Sequence, residues 1–209
     1  SLALALVVCA AATFTVSASS GDDLLPSGIA VADIETVVDE YVAEHESSTA
    51  ALSVAVFTGH EVLFEKAYGY TDLENAVAND SDSVVEWGSV TKLLVWVSAM
   101  QLAERGTLDL NEDIRTYLPD GFLTKLRYDT PITMLNLMNH NAGWQEVATD
   151  IFIANPADVK SLADGLKRVE PEQVFEPGMV VAYSNWGAAL AGYIVERVSG
   201  QSFDAYVHE

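Results

Sequence analysis

Apolar residues recur at helical spacing between Ile29 and Glu46, where Ile34, Val37, Val38, Tyr41 and Val42 share one face and predict an amphipathic helix. The period then changes. ALSVAVFT (51–58) and EVLFEKAYGY (61–70) are rich in β-branched and aromatic residues and predict two strands, with Gly59 and His60 as the hairpin turn. A polar loop over 72–83 leads to a helix that is apolar nearly all round from Leu93 to Ala103. Such a helix is expected to be buried on most faces, with Gly106 as its C-terminal cap. Residues 109–120 read as a turn and a short helix ending at Pro119. Pro131 and Thr133 introduce the helix TMLNLMNH, closed by Asn141 to Gly143. A helix is expected around 157–169, and a long one from about Trp186 to Ser199 with Gly200 as cap. GQSFDAYVHE enters a further amphipathic helix and shows no stop signal. Strands come first and helices follow, which predicts an α+β fold and not alternating βαβ units.

The ends and the charge refine this picture. Residues 1–20, SLALALVVCAAATFTVSASS, read as a secretory signal peptide lacking its start, with a small-residue cleavage site at Val16–Ala18. The apolar run is shorter than the ~20 residues a membrane-spanning helix needs, so no stable membrane span is expected. GDDLLPSG (21–28) reads as a linker, and 29–209 as the folded domain. Secretion to a periplasmic or extracellular location follows as the expectation. Cys9 lies inside the signal-like run, so thiol and disulfide chemistry drop out of the mature chain. With 31 acidic against 10 basic residues the net charge is −21, which excludes a nucleic-acid footprint and disfavours anionic membranes. Nothing in the sequence reports an oligomeric state.

One residue sits where electrostatics disfavours it. In EWGSVTKLLVWVSAMQLAERG, Lys92 occupies the first turn of a helix, whose positive end favours acids, and lies three residues after Ser89. Residues at i and i+3 share a face, about 5–6 Å apart at Cβ. A serine hydroxyl becomes a useful nucleophile only beside a base, and burial plus the helix end both lower a lysine pKa towards that role. The bland alternative is an ordinary helix start with Ser89 as N-cap. Further along, Tyr183-Ser184-Asn185 follows the turn Glu176-Pro177-Gly178 and enters an apolar helix. By itself that reads as a core tyrosine with Asn185 as cap.

Taken together and in order, WGSVTK and AYSNWGAALAGYIVERVSGQSF resemble the nucleophile and Tyr-x-Asn motifs of the serine β-lactamase and penicillin-binding-protein superfamily. The similarity is to its class C β-lactamase-related branch, with D-alanyl carboxypeptidases and esterases. AYGYTDLENAVANDSDSVVEWGSVTK, QLAERGTLDLNEDIRTYLPD and PITMLNLMNHNAGW extend it over about 29–209. The resemblance implies a β-lactamase/transpeptidase-like fold, with an N-terminal helix and a β-hairpin of an antiparallel sheet beside a mostly helical subdomain. It implies that Ser89 attacks a carbonyl and becomes acylated, and that its N–H supplies one oxyanion donor. Lys92 accepts or relays the proton. Tyr183 serves as general base and then protonates the leaving group, and Asn185 hydrogen-bonds Lys92 and the substrate amide. Gly143 and Trp144 are expected to line the substrate site. The family's third motif, Lys-Thr-Gly or His-x-Gly on a later strand, has no match in 186–209. The C-terminal strands of the sheet are therefore expected downstream of Glu209. The 209 residues alone are expected to be inactive and to expose a sheet edge.

Other signals carry less. DLNED (109–113) starts like a calcium loop, but Ile114 stands where the turn glycine belongs. His45, His60, His140 and His208 lack ligand spacing, and His140 reads as structural. No metal or organic cofactor is expected. The function implied is a secreted serine hydrolase acting through an acyl-enzyme on a small-molecule or peptide amide or ester, among them β-lactams and D-alanyl peptides. The alternative is a non-catalytic module that binds cell-wall peptide or a protein partner.

Overall fold

The structure, a computed structural model, describes residues 24–147 and 153–209. The signal-like segment at 1–20 lies outside the described residues, as does the start of the linker. The chain divides into two units, one reaching to Val85 and the other running from Glu86 to Glu209.

In the first unit, the helix expected from Ile29 starts later. A 3₁₀ turn at Val31–Asp33 precedes α1 (Ile34–His45), and Ile34 is its buried anchor. β1 (Ala51–Phe57) and β2 (Val62–Asp72) form the expected antiparallel hairpin, in register from Ala51 opposite Gly69 to Phe57 opposite Val62. Thr58 closes the turn by accepting from the backbone N–H groups of His60 and Glu61. A two-residue strand β3 (Val77–Ala78) inside the predicted polar loop pairs with β2, giving the order β1-β2-β3. Two residues are too short a run for period-2 alternation to register. Gly69 is obligatory: its φ is +75° and a Cβ there would stand 2.1 Å from the Ala50 carbonyl oxygen. Lys66 ties the sheet to α1, with Nζ 2.8 Å from both Glu35 and Asp39, and the Tyr68 hydroxyl donates to Asp39 at 2.6 Å.

Asn79 is the polar rivet of this unit. It is buried, and its Nδ2 donates to Leu52 O at 3.0 Å, Ser53 Oγ at 3.0 Å and Tyr68 O at 3.2 Å, bridging β1 and β2. Replacing Asn79 with leucine strands two strand carbonyls without that donor, and the expected loss is about 1–3 kcal/mol of stability by denaturant unfolding. A loss below ~0.3 kcal/mol would show that the amide is dispensable.

The second unit holds a helical core. A 3₁₀ turn (Gly88–Thr91) runs into α2 (Lys92–Glu104), which packs against α5 (Asn185–Ser199). Val95, Ala99 and Leu102 of α2 meet Leu190, Ala191 and Ile194 of α5, and Ile132, Met134 and Leu137 belong to the same core. Residues 109–120 contribute only a 3₁₀ turn at Ile114–Tyr117 in place of the expected short helix. α3 (Met134–Met138) begins at a capping box between Thr133 and Asn136. α4 (Leu162–Arg168) and α6 (Phe203–His208) complete the set, and both pack on α5. Gly106 and Gly200 take positive φ after α2 and α5, as caps of this kind require.

One expectation fails. α2 is not buried on most faces: Leu93, Val97 and Met100 are 58%, 55% and 49% exposed. Apolar composition tells how much of a helix avoids water, whereas the number of neighbours is a tertiary property, and α2 buries the side that meets α5. Buried polar side chains brace the loops around this core. Glu170 accepts from the backbone of Thr124 and Lys125. Gln173 accepts from Arg127 and Tyr128 and donates to Ala142 O at 3.2 Å.

Candidate active site

The Ser89 hydroxyl is not spent on capping. It lies inside the 3₁₀ turn, and neither that turn nor α2 has a side-chain cap. Side chains at i and i+3 eclipse in a 3₁₀ turn, so Lys92, the first residue of α2, stands directly over Ser89. Its Nζ donates to Ser89 Oγ at 3.1 Å. From the other side, and 94 positions along the chain, the Tyr183 hydroxyl donates to the same oxygen at 2.7 Å. Lys92 Nζ also lies 4.9 Å from the centre of the Tyr183 ring. The phenol is held below its ordinary value near 10, first by hydrogen bonding with Lys92, then by Ser89 and by the ammonium charge, while partial burial opposes them. Ser89 is exposed and Lys92 half-buried, so the nucleophile candidate faces solvent while the cation is partly enclosed.

Asn185 departs from its expected place. It is the first residue of α5, and the helix cap is Ser184, whose Oγ accepts from Gly187 N at 2.9 Å. The hydrogen bonds of Asn185 go to Glu146: the backbone N–H to Oε2 at 2.9 Å and Nδ2 to Oε1 at 2.8 Å. Both bonds use N–H donors of Asn185; the bond expected with Lys92, in which Oδ1 would accept from the ammonium, is absent among the described residues.

Trp144 and Gly143, expected to line the site, are packing residues in this structure. Trp144 is 1% exposed and meets Trp186 edge to face, with centroids 4.7 Å apart. Gly143, at φ +92°, lets the chain pass Phe175, whose carbonyl oxygen would lie 2.0 Å from a Cβ. Its own carbonyl accepts from Val174 and Phe175. What the loop does bring to the site is His140. At φ +53° its ring lies on Tyr183, centroids 4.5 Å apart, and Nδ1 accepts from Ser184 N at 3.2 Å. The structural reading of His140 fits this place. Among the described residues no group of three or more His, Cys, Asp or Glu side chains gathers as a metal site, and no helix is long and apolar enough to cross a membrane.

Residues 34–209 match the Beta-lactamase family. The chain belongs to that family. Among curated relatives of this β-lactamase-family chain, D-alanyl-D-alanine-carboxypeptidase/endopeptidase AmpH of Escherichia coli (strain K12) is 32% identical over 178 residues, covering 83% of this chain and 46% of the relative. The chain spans between about a third and a half of the length of the curated relatives it matches. In fold, it superposes on the D-amino acid amidase of Ochrobactrum anthropi SV3 with a TM-score of 0.70 at 23% identity, covering 84% of this chain and 48% of that one. An octameric penicillin-binding protein homologue from Pyrococcus abyssi gives 0.69 at 22% identity, over 85% and 41%. The β-lactamase-like α+β fold is thus established.

Two partners of the site in this β-lactamase-family chain, Glu146 and His140, were not legible as such beforehand. Glu146 meets Asn185 across 39 positions, and no short pattern links them. His140 carries a testable property. Burial, then the charge of Lys92, lower its pKa below the ordinary 6.5, while Glu146 pulls the other way. The folded chain thus binds this proton less readily than the unfolded one, and stability declines as pH falls from about 6.5 towards the lowered value. Between about pH 7 and pH 5, His140→Asn is expected to lose less melting temperature than the wild type. Equal losses would remove His140 from this account.

Proposed function

We propose that this protein is a secreted serine hydrolase working through a covalent acyl-Ser89 intermediate on an amide or ester carbonyl. The reading extends to residues 29–209 as the hydrolase domain, behind a signal peptide and a short linker. The observation that supports it most is the convergence of the Tyr183 phenol and the Lys92 ammonium on one serine oxygen, at 2.7 and 3.1 Å.

The chemistry runs as follows. Ser89 Oγ forms the bond to the carbonyl carbon while its proton passes to the ionised Tyr183, and Lys92 stays cationic and favours the phenolate. Collapse of the tetrahedral species breaks the bond to the leaving nitrogen or oxygen, which takes the proton from Tyr183. Water then attacks the acyl-serine with Tyr183 accepting its proton, and Ser89 recovers the proton as the acid leaves. Positioned proton transfer of this sort contributes ~10²–10⁴ in rate.

The carboxypeptidase relative supports a substrate with an amide carbonyl, a D-alanyl peptide or β-lactam, and the reading extends to small esters. Incubating the intact protein with a fluorescent penicillin or a fluorophosphonate tests the reading: stable labelling supports it, and no labelling by either favours a cell-wall-peptide binder. Hydrolysis of nitrocefin compared with p-nitrophenyl acetate then separates lactamase from esterase.

A further inference from the structure

We propose that Glu146 is a positioning residue that sets the orientation of Asn185, a role that rests on the hydrolase reading above. A carboxylate has no donor, so the Asn185 amide can meet Glu146 only through its nitrogen, which turns Oδ1 the other way. The two bonds, at 2.9 and 2.8 Å, use both carboxylate oxygens and both the backbone and the side chain of one residue. Such a two-point grip fixes rotation about the Asn185 side chain as well as its position. The grip falls at the start of α5, where the helix's positive end favours an acid.

The same charge reaches the reacting phenol. Tyr183 is faced by Ser89 and Lys92 from the nucleophile turn and α2, and by His140 from the loop after α3, while the charge of Glu146, held on the next turn by Asn185, acts on it more weakly. Lys92 pulls the phenol down and Glu146 pushes it up.

Two variants separate the parts. Glu146→Ala removes both acceptors and the charge; Glu146→Gln keeps one oxygen acceptor and loses the charge. Ser89 acylation by a fluorophosphonate is followed against pH in the intact protein, beside ultraviolet difference titration of Tyr183, each protein referenced to its own Tyr183→Phe form. Glu146→Ala is expected to acylate roughly 10- to 100-fold more slowly, with Glu146→Gln recovering part of that loss. In both variants the Tyr183 titration moves to lower pH. Rates within about twofold of wild type together with an unmoved titration would overturn the proposal. So would equal slowing in both variants with a matching drop in melting temperature, which marks a fold role alone. If the wild type takes no label while the titration still moves, the hydrolase reading fails and the placement of Asn185 by Glu146 beside Tyr183 stands.

Discussion

Ser89→Ala is expected to abolish covalent labelling of the intact protein by penicillin and fluorophosphonate probes, and to lower turnover by at least ~10³-fold. The reason is local. Lys92 and Tyr183 both direct a hydrogen bond to the Ser89 oxygen, and without it the ammonium and the phenol have nothing to activate. The fold should hardly notice. Ser89 is exposed and caps no helix, so the variant stays within ~0.5 kcal/mol of wild-type stability. Gel fluorescence reads the first effect and thermal melting the second. A variant that is labelled at the wild-type rate would remove Ser89 from the chemistry, and the hydrolase reading with it.

Tyr183→Phe is the second large effect. The ring keeps its place against His140 and under Lys92, and only the hydroxyl is lost. Acylation should fall by ~10²–10⁴, the usual worth of a positioned base. The pH dependence gives a sharper sign. Because hydrogen bonding with Lys92 lowers the phenol, the wild-type rate is expected to rise with pH through a value below the ordinary 10. That limb reports ionisation of the base and should vanish in the phenylalanine variant. Stopped-flow acylation of both proteins decides the matter. A variant that keeps the limb and most of the rate would pass the role of base to Lys92.

The parts of the site that announced themselves were short and local. Ser89 and Lys92 share one turn, and Tyr183-Ser184-Asn185 sits at the entry of an apolar helix; each stretch alone also read as an ordinary helix start, and it was the resemblance to the family that joined them. The α+β layout followed from the change of period between the hairpin and the later helices. What escaped was tertiary. Asn185 was expected to serve as a cap or to meet Lys92, but the helix begins at Asn185 itself and the preceding serine supplies the cap. Glu146 took the amide because a loop folds back across 39 positions, and no period records that. Trp144 shows the opposite error. An aromatic beside a site loop suggests a wall, whereas its ring found a partner in Trp186 and went inside. α2 was legible as a helix but not in its exposure, since a side chain's hydrophobicity does not state which neighbour will cover it.

Gly143 has a meaning for how a family record should be read. With a carbonyl of Phe175 standing where any side chain would begin, natural selection meets the same steric veto in every lineage that keeps this corner. Invariance at Gly143 among descendants would therefore testify to backbone crowding. It would carry no vote on substrate choice, even though the residue lies three positions from His140 and three from Glu146.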